Sequence, residues 1–346
     1  YRETNREESA SPGRGGGTRS LGMMHHSEAG AARCLVLCGV VLLASASTAS
    51  ADPRVVFATD RGRGWDIYVM DAFGRDVRNV TRAANARDVM PDWSPDGKQI
   101  AFISTRGGDG WPELYVMDAN GARQRRLTDN PAGSSIAWPK WSPDGRWIAF
   151  QRAGIDGSGV YLISTDGNTE RKVADGGHPT WAPDGRKIAF QGPGVGDADL
   201  YIVDLDTRAE TRLTQHPDTE ATPAWSPDGL DIAYVALKPD RRHLVLVGAD
   251  GSGRRELTDG PAFDAHPSWS PDASEIVFHS SARGDAADPR AQIYVVTVDT
   301  GKVRRLTDEG ESRYPSWLGP GGLATSSRQK RSAEWGWVKR LGASAR

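Results

Sequence analysis

His178 and His266 each stand three residues before a tryptophan, in "HPTW" and "HPSW". The same offset before four other tryptophans holds Met90, Trp138, Thr222 and Tyr314. Five residues before the tryptophans the series reads Asp88, Ile136, Gly176, Glu220, Asp264 and Ser312. Imidazoles ligate metals and carry protons near neutral pH, and carboxylates act as general acids and bases. Indole and phenol rings offer contact surfaces with one apolar and one polar aspect. Gathered in one place, these side chains would make a binding site. A metal centre needs more, because oxygen–nitrogen ligation requires a tight cluster. His178 and His266 belong to repeats two steps apart, and the sequence supplies no reason for them to approach. No metal, no cofactor and no catalytic residue is therefore assigned.

The elements that must position these residues are set by an internal repeat. "WSPDG" occurs at 93, 141 and 225, "WAPDG" at 181, "WSPDA" at 269 and a degenerate "WLGPG" at 317, at intervals of 48, 40, 44, 44 and 48 residues. Each marker opens the same succession. An apolar run such as "IAFIS" comes first, then "LYVMD", then a short "RRLT". The runs are four or five residues long, rich in β-branched and aromatic residues and interrupted by Gly and Pro, which excludes helices. With the segment leading into the next tryptophan, each repeat supplies four short strands. At the N-terminal side "VVFAT", "DIYVMD" and "RNVT" lack a preceding tryptophan strand, while "YPSW" near 317 lacks the strands that would follow. Joining the ends completes the set and hides two sheet edges. The expected fold is all-β: a six-bladed β-propeller of four-stranded antiparallel blades over residues 53–325, closed by its N- and C-terminal strands.

Within that frame Trp93, Trp141, Trp181, Trp225, Trp269 and Trp317 read as packing between neighbouring blades, since their placement is regular. Asp96, Asp144, Asp184 and Asp228 read as turn residues, with Pro setting φ and Gly accepting positive φ. Asp272 keeps that role beside Ala273, where glycine is expected. Thr128, Thr214, Thr258 and Thr307 mark strand ends. What varies between repeats carries the functional information. The candidate binding site is the channel mouth, formed by Asp88, Met90, Trp138, His178, Glu220, Asp264, His266 and Tyr314. Arg106, Trp111 and Arg283, in the loops "TRGGDGWPE" and "SSARGDAADPRAQ", are further candidate contacts.

The "W-[SA]-P-D-G-x-x-[IL]-A-[FY]" motif, the "[DE]-[LI]-Y-[VI]-[MV]-D" strand and the "R-x-L-T" strand end resemble the TolB-like β-propeller repeat family, also described as WD40-like Pro-Asp repeats. The resemblance covers about residues 53–325. It implies the propeller fold and raises the expectation of an envelope protein partner, as in the Tol-Pal system. The chain departs from TolB in that its repeats begin close to an expected cleavage site, without TolB's N-terminal α/β domain. Similar blades occur beside hydrolase domains in prolyl-oligopeptidase-like peptidases and in metal-dependent pectin-fragment lyases.

Composition narrows the partner. With 43 Lys+Arg against 45 Asp+Glu the formal charge is -2, which gives no reason to expect nucleic acid. Residues 1–24 are polar and irregular, expected to be disordered or upstream of the true start. Residues 25–51 read as a signal peptide: Arg33 precedes the apolar run "CLVLCGVVLLASA", and "ASA" at 49–51 suits cleavage. The run is short for a spanning helix, so no transmembrane segment is expected in the mature chain. Both cysteines, Cys34 and Cys38, fall in this segment. A periplasmic or secreted protein is expected, with lipoprotein attachment through Cys38 as a lesser alternative. Residues 326–346 hold six Lys/Arg and one Glu and are expected to form a disordered tail. The sequence contains neither a "GxSxG" nor an "HExxH" motif, and "GRGGG" at 13–17 has no flanking strand or helix pattern. Three readings stand open: an exported non-enzymatic propeller that binds a protein partner, a carbohydrate- or peptide-processing enzyme using the channel, and a structural accessory surface protein. The first is preferred.

Overall fold

The structure, a computed structural model, describes residues 54–318 except 63, 84, 108–109, 156, 194–197, 282 and 284–288. The expected upstream segment, signal peptide and basic tail lie outside the described residues. Every regular element among them is a β-strand.

Four sheets have four strands each. The first joins Ser312–Trp317, Arg54–Thr59, Asp66–Asp71 and Arg78–Asn79; the second joins Asp88–Trp93, Gln99–Ser104, Glu113–Asp118 and Arg125–Arg126. The third joins Ser135–Trp141, Trp147–Gly154, Gly157–Ser164 and Glu170–Asp175; the fourth joins Gly177–Trp181, Lys187–Gly192, Asp199–Asp204 and Glu210–Arg212. The strands from Thr219 to Arg305 run together as one eight-stranded sheet. The expected six separate four-stranded blades are thus corrected: the propeller has four discrete four-stranded blades, and the last two repeats share a sheet. The cause is local. Arg242 faces Phe263 in a parallel bridge, and Arg242 N donates to Ala262 O at 2.9 Å. Elsewhere a single bond such as Asp88 N to Trp65 O (2.8 Å) crosses between repeats without pairing their strands. The chain ends meet by strand pairing, with Val55 opposite Trp317 and Thr59 opposite Ser312.

The second and third strands of each repeat are buried on both faces, which is why they read as continuous apolar runs. Phe57, Phe102, Phe150, Phe190, Tyr234 and Phe278 hold the same place in successive repeats, each at 1% exposure or less. Each such burial stabilises by about 2–3 kcal/mol. Five of the six marker tryptophans are buried and Trp225 is half-buried. Trp181 donates its indole N–H to Lys140 O at 3.0 Å and Trp269 to Ala224 O at 2.9 Å, both in the preceding repeat. These two tryptophans therefore bridge neighbouring repeats, whereas Trp225 donates to Gly229 O of its own turn at 3.2 Å.

The Ser-Pro-Asp-Gly turns are self-contained. Ser94 Oγ donates to Asp96 Oδ1 (2.7 Å), Lys98 N donates to the same oxygen (3.1 Å), and Gln99 N donates to Ser94 Oγ (2.9 Å). The set recurs at Asp144, Asp228 and Asp272. Gly97, Gly145, Gly185 and Gly229 take φ between +69° and +78°, and Ala273 takes +60° in glycine's place. Threonine closes the other end of the wall. Thr128, Thr214, Thr258 and Thr307 each accept a hydrogen bond from a third-strand N–H at 2.9–3.0 Å.

Candidate functional site

Each inner strand breaks register at the same place. In Asp88–Trp93, Val89 faces Ile103 and Asp92 faces Ala101, so Met90 and Pro91 together oppose one residue, Phe102. This is a β-bulge, and the proline accounts for it. Proline lacks an N–H for the ladder and is tolerated in strands at edges and bulges. Pro139, Pro179, Pro223, Pro267 and Pro315 repeat the arrangement. The residue before each proline is driven into the left-handed region: Met90 (φ 53°), Trp138 (58°), His178 (49°), Thr222 (50°), His266 (54°) and Tyr314 (56°). Non-glycine residues there cost on the order of 1–3 kcal/mol each. These six residues, their prolines and Lys140 line one recess. Six bulges thus aim the variable side chains at a common space.

The rings in that recess stack. The Trp138 indole lies 4.3 Å from the His266 ring at 20° and 4.6 Å from the His178 ring at 29°. Tyr314 meets Trp138 edge-on at 5.5 Å and His266 at 5.1 Å. The ring centroids of His178 and His266 are 6.2 Å apart, so the expectation that they need not approach is corrected. Six inner strands around one channel bring non-adjacent repeats together. Among the described residues no group of three metal-ligating side chains is assembled.

A deeper layer supports the mouth. His279 stacks on His266 at 5.0 Å, and its Nδ1 accepts from Tyr314 N at 3.3 Å. Gln151 Oε1 accepts from His178 N at 3.2 Å. Gln151, Gln191 and His279 occupy the fourth position of the second-strand motif, where other repeats carry Ala58, Ile103 and Val235. Sequence reasoning missed this layer. Its signal was the same one that marked the mouth, a position that varies while its neighbours repeat.

Burial keeps the imidazoles neutral. It lowers His178 to about 4, partly opposed by a hydrogen bond with Gln191. It lowers His279 to about 3, helped by the charges of Arg313 and Arg242. His266 is held well below its ordinary 6.5, first by burial and then by His279, His178, Lys140 and Arg313.

The acids five residues before the tryptophans go elsewhere. Asp88, Glu220 and Asp264 have no exposed surface and are absent from the lining of the recess. Asp88 accepts from Ser104 Oγ (2.6 Å) and pairs with Arg106 (2.5 Å). Asp264 accepts from Ser280 Oγ (2.5 Å) and Thr258 Oγ1 (2.6 Å) and pairs with Arg283 (2.6 Å). Glu220 accepts from Thr214 Oγ1, and burial raises its pKa. Arg106 also lies over the Phe102 ring at 5.0 Å. The two loop arginines are therefore tied to the wall acids. Trp111 is 40% exposed. Loops hid these partnerships from the sequence, because an acid and an arginine 18 residues apart meet only when the second strand folds back between them.

A family model described as the TolB beta propeller domain matches residues 44–178 and 160–336. The Tol-Pal system protein TolB of Syntrophus aciditrophicus is 31% identical over 80 residues, which cover 22% of this chain and 17% of that protein. The uncharacterized peptidase YuxL of Bacillus subtilis is 51% identical over 49 residues, 14% of this chain and 7% of that protein. Both matches span a small part of those curated relatives. Among solved structures, TolB from Acinetobacter baumannii superposes with a TM-score of 0.67 at 20% identity, covering 77% of this chain and 66% of that one. This last likeness bears on fold alone.

Proposed function

The chain belongs to the TolB beta propeller domain family, and from that premise we propose that it is an exported, non-enzymatic module that binds a protein partner in the cell envelope through its channel mouth. The observation that carries the reading is the ring of six bulges. A non-glycine residue held in left-handed backbone recurs at one place in every repeat, large in all but Thr222, and that place faces the recess. Strain of this kind is maintained where the aim of a side chain matters. The half-buried side chains of the mouth are Met90, Trp138, His178, Thr222, His266 and Tyr314, mostly aromatic and imidazole surface of the kind that makes contact sites. Asp88 and Asp264 are held in wall ion pairs, and Asp88, Asp264 and Glu220 are all absent from the lining of the recess. The relative named for the Tol-Pal system adds an envelope setting.

The test is capture from solubilised envelope with the wild-type chain and a His266→Ala/Tyr314→Ala double variant. The expected result is a partner held by the wild type and lost from the variant. Retention of every partner by the variant sinks the reading. The enzyme alternative, peptide or carbohydrate processing in the channel, draws support from the likeness to YuxL. It predicts turnover of peptide or oligosaccharide mixtures by the chain alone, abolished by the same double variant.

A further inference from the structure

The recess is smaller than its lining suggests. Its free space is about 40 Å³, room for about three waters. That is well short of the ~150 Å³ cavity that takes up a benzene ring. The volume a ligand would need is taken up by the indole of Trp138. The Trp138 indole stacks on both mouth imidazoles, His178 in the next repeat and His266 further round the ring, and meets Tyr314 edge-on. It reaches across the channel from its place on the lining.

We propose that Trp138 is a built-in plug of the channel mouth, and that the place it fills, between the imidazoles of His178 and His266 and the edge of Tyr314, is a pocket for a neutral planar aromatic ring. This rests on the channel-mouth reading above and names both its regulation and its ligand chemistry. Three features carry it. The indole rests on two imidazole faces at 4.3 and 4.6 Å, distances that any flat ring in its place would share. Proline rings complete the wall, offering apolar surface without N–H donors. The one charged residue on the lining, Lys140, is paired with Asp92 at 3.0 Å, so the walls offer no free carboxylate to a cation and suit a neutral ring.

The probe is free indole, titrated calorimetrically into the wild type, Trp138→Gly and Trp138→Phe. Glycine removes the plug and suits the left-handed backbone, so the variant is expected to fold; Trp138→Ala replaces it if its melting curve shows otherwise. The folded plugless variant is expected to bind one equivalent of indole at least tenfold more tightly than the wild type. Trp138→Phe, which keeps a ring in place, is expected to stay with the wild type. Adding His266→Ala to Trp138→Gly is expected to weaken indole at least fivefold. Equal binding by wild type and Trp138→Gly means the mouth is already open, and absence of binding by a folded Trp138→Gly means the space is not ring-shaped; either result overturns the proposal. With an envelope partner in hand, Trp138→Gly is expected to bind it at least tenfold more tightly, whereas weaker binding makes Trp138 a contact and not a plug. Failure to capture any partner counts against the channel-mouth reading, and the indole arms still decide the plug.

Discussion

The Ser-Pro-Asp-Gly turn and the proline bulge recur in nearly every repeat, each with one residue forced into positive φ, and they treat that residue in opposite ways. In the turn the position belongs to Gly97, Gly145, Gly185 and Gly229, with Ala273 the exception. In the bulge it belongs to Met90, Trp138, His178, Thr222, His266 and Tyr314. Glycine adopts the left-handed region at no steric cost, and a turn has no further demand on the residue. The bulge forgoes that relief six times over. The difference separates the wall from the site: backbone need selects one residue type, whereas a side chain that must be aimed keeps its size despite the strain.

Breaking the wall should cost the most. Arg283→Ala leaves Asp264 buried with its hydroxyl partners but no counter-charge, and is expected to destabilise by about 3 kcal/mol in denaturant unfolding. Capture of the partner by the surviving folded protein should be unchanged, because Asp264 does not line the mouth. Loss of binding without loss of stability would return the acids to the site.

The mouth should announce itself in acid. His178 has a folded value of about 4 against an ordinary 6.5. A depressed folded pKa means the unfolded chain binds the proton first, so stability is full above about 6.5 and falls as pH drops towards 4. For His178 alone the loss is on the order of 3 kcal/mol, with His279 and His266 adding in the same direction. His178→Gln is expected to flatten part of this limb in thermal melts between pH 7 and pH 4. An unchanged slope would show that the imidazole is solvated.

The smallest effects test the comparison itself. Thr222 lies in the mouth but has no ring stacking on it, so Thr222→Gly should relieve a β-branched residue at φ 50° and stabilise by about 1 kcal/mol. Ala273→Gly restores the turn's usual residue and should gain about 0.5 kcal/mol. A turn gain larger than the bulge gain would mean that the bulges are relaxed and that their side chains are not held under strain.

Much of this was legible beforehand where the information is local. "IAFIS" and "LYVMD" have the length and composition of buried strands, and Pro-Asp-Gly has the chemistry of a turn. The mouth was found in part by asking which position varies between repeats, and Met90, Trp138, His178, Thr222, His266 and Tyr314 all reach it. Asp88, Glu220 and Asp264 misled because two residues along a regular strand share a face. The intervening bulge breaks that alternation, and the proline that signals it stands in every repeat.

By itself the sequence determined the repeat, the strand order within each unit, the turns and the joining of Arg54–Thr59 to Ser312–Trp317. These depend on short-range periodicity and on hiding open edges, both of which are written in adjacent residues. Only the tertiary structure decided that two repeats fuse through Arg242 and Phe263, and that Arg106 and Arg283 neutralise Asp88 and Asp264. It also decided that Trp138 lies against both His178 and His266. Those contacts join residues far apart in the chain, and closing the ring sets their distances while leaving no periodic trace in the sequence.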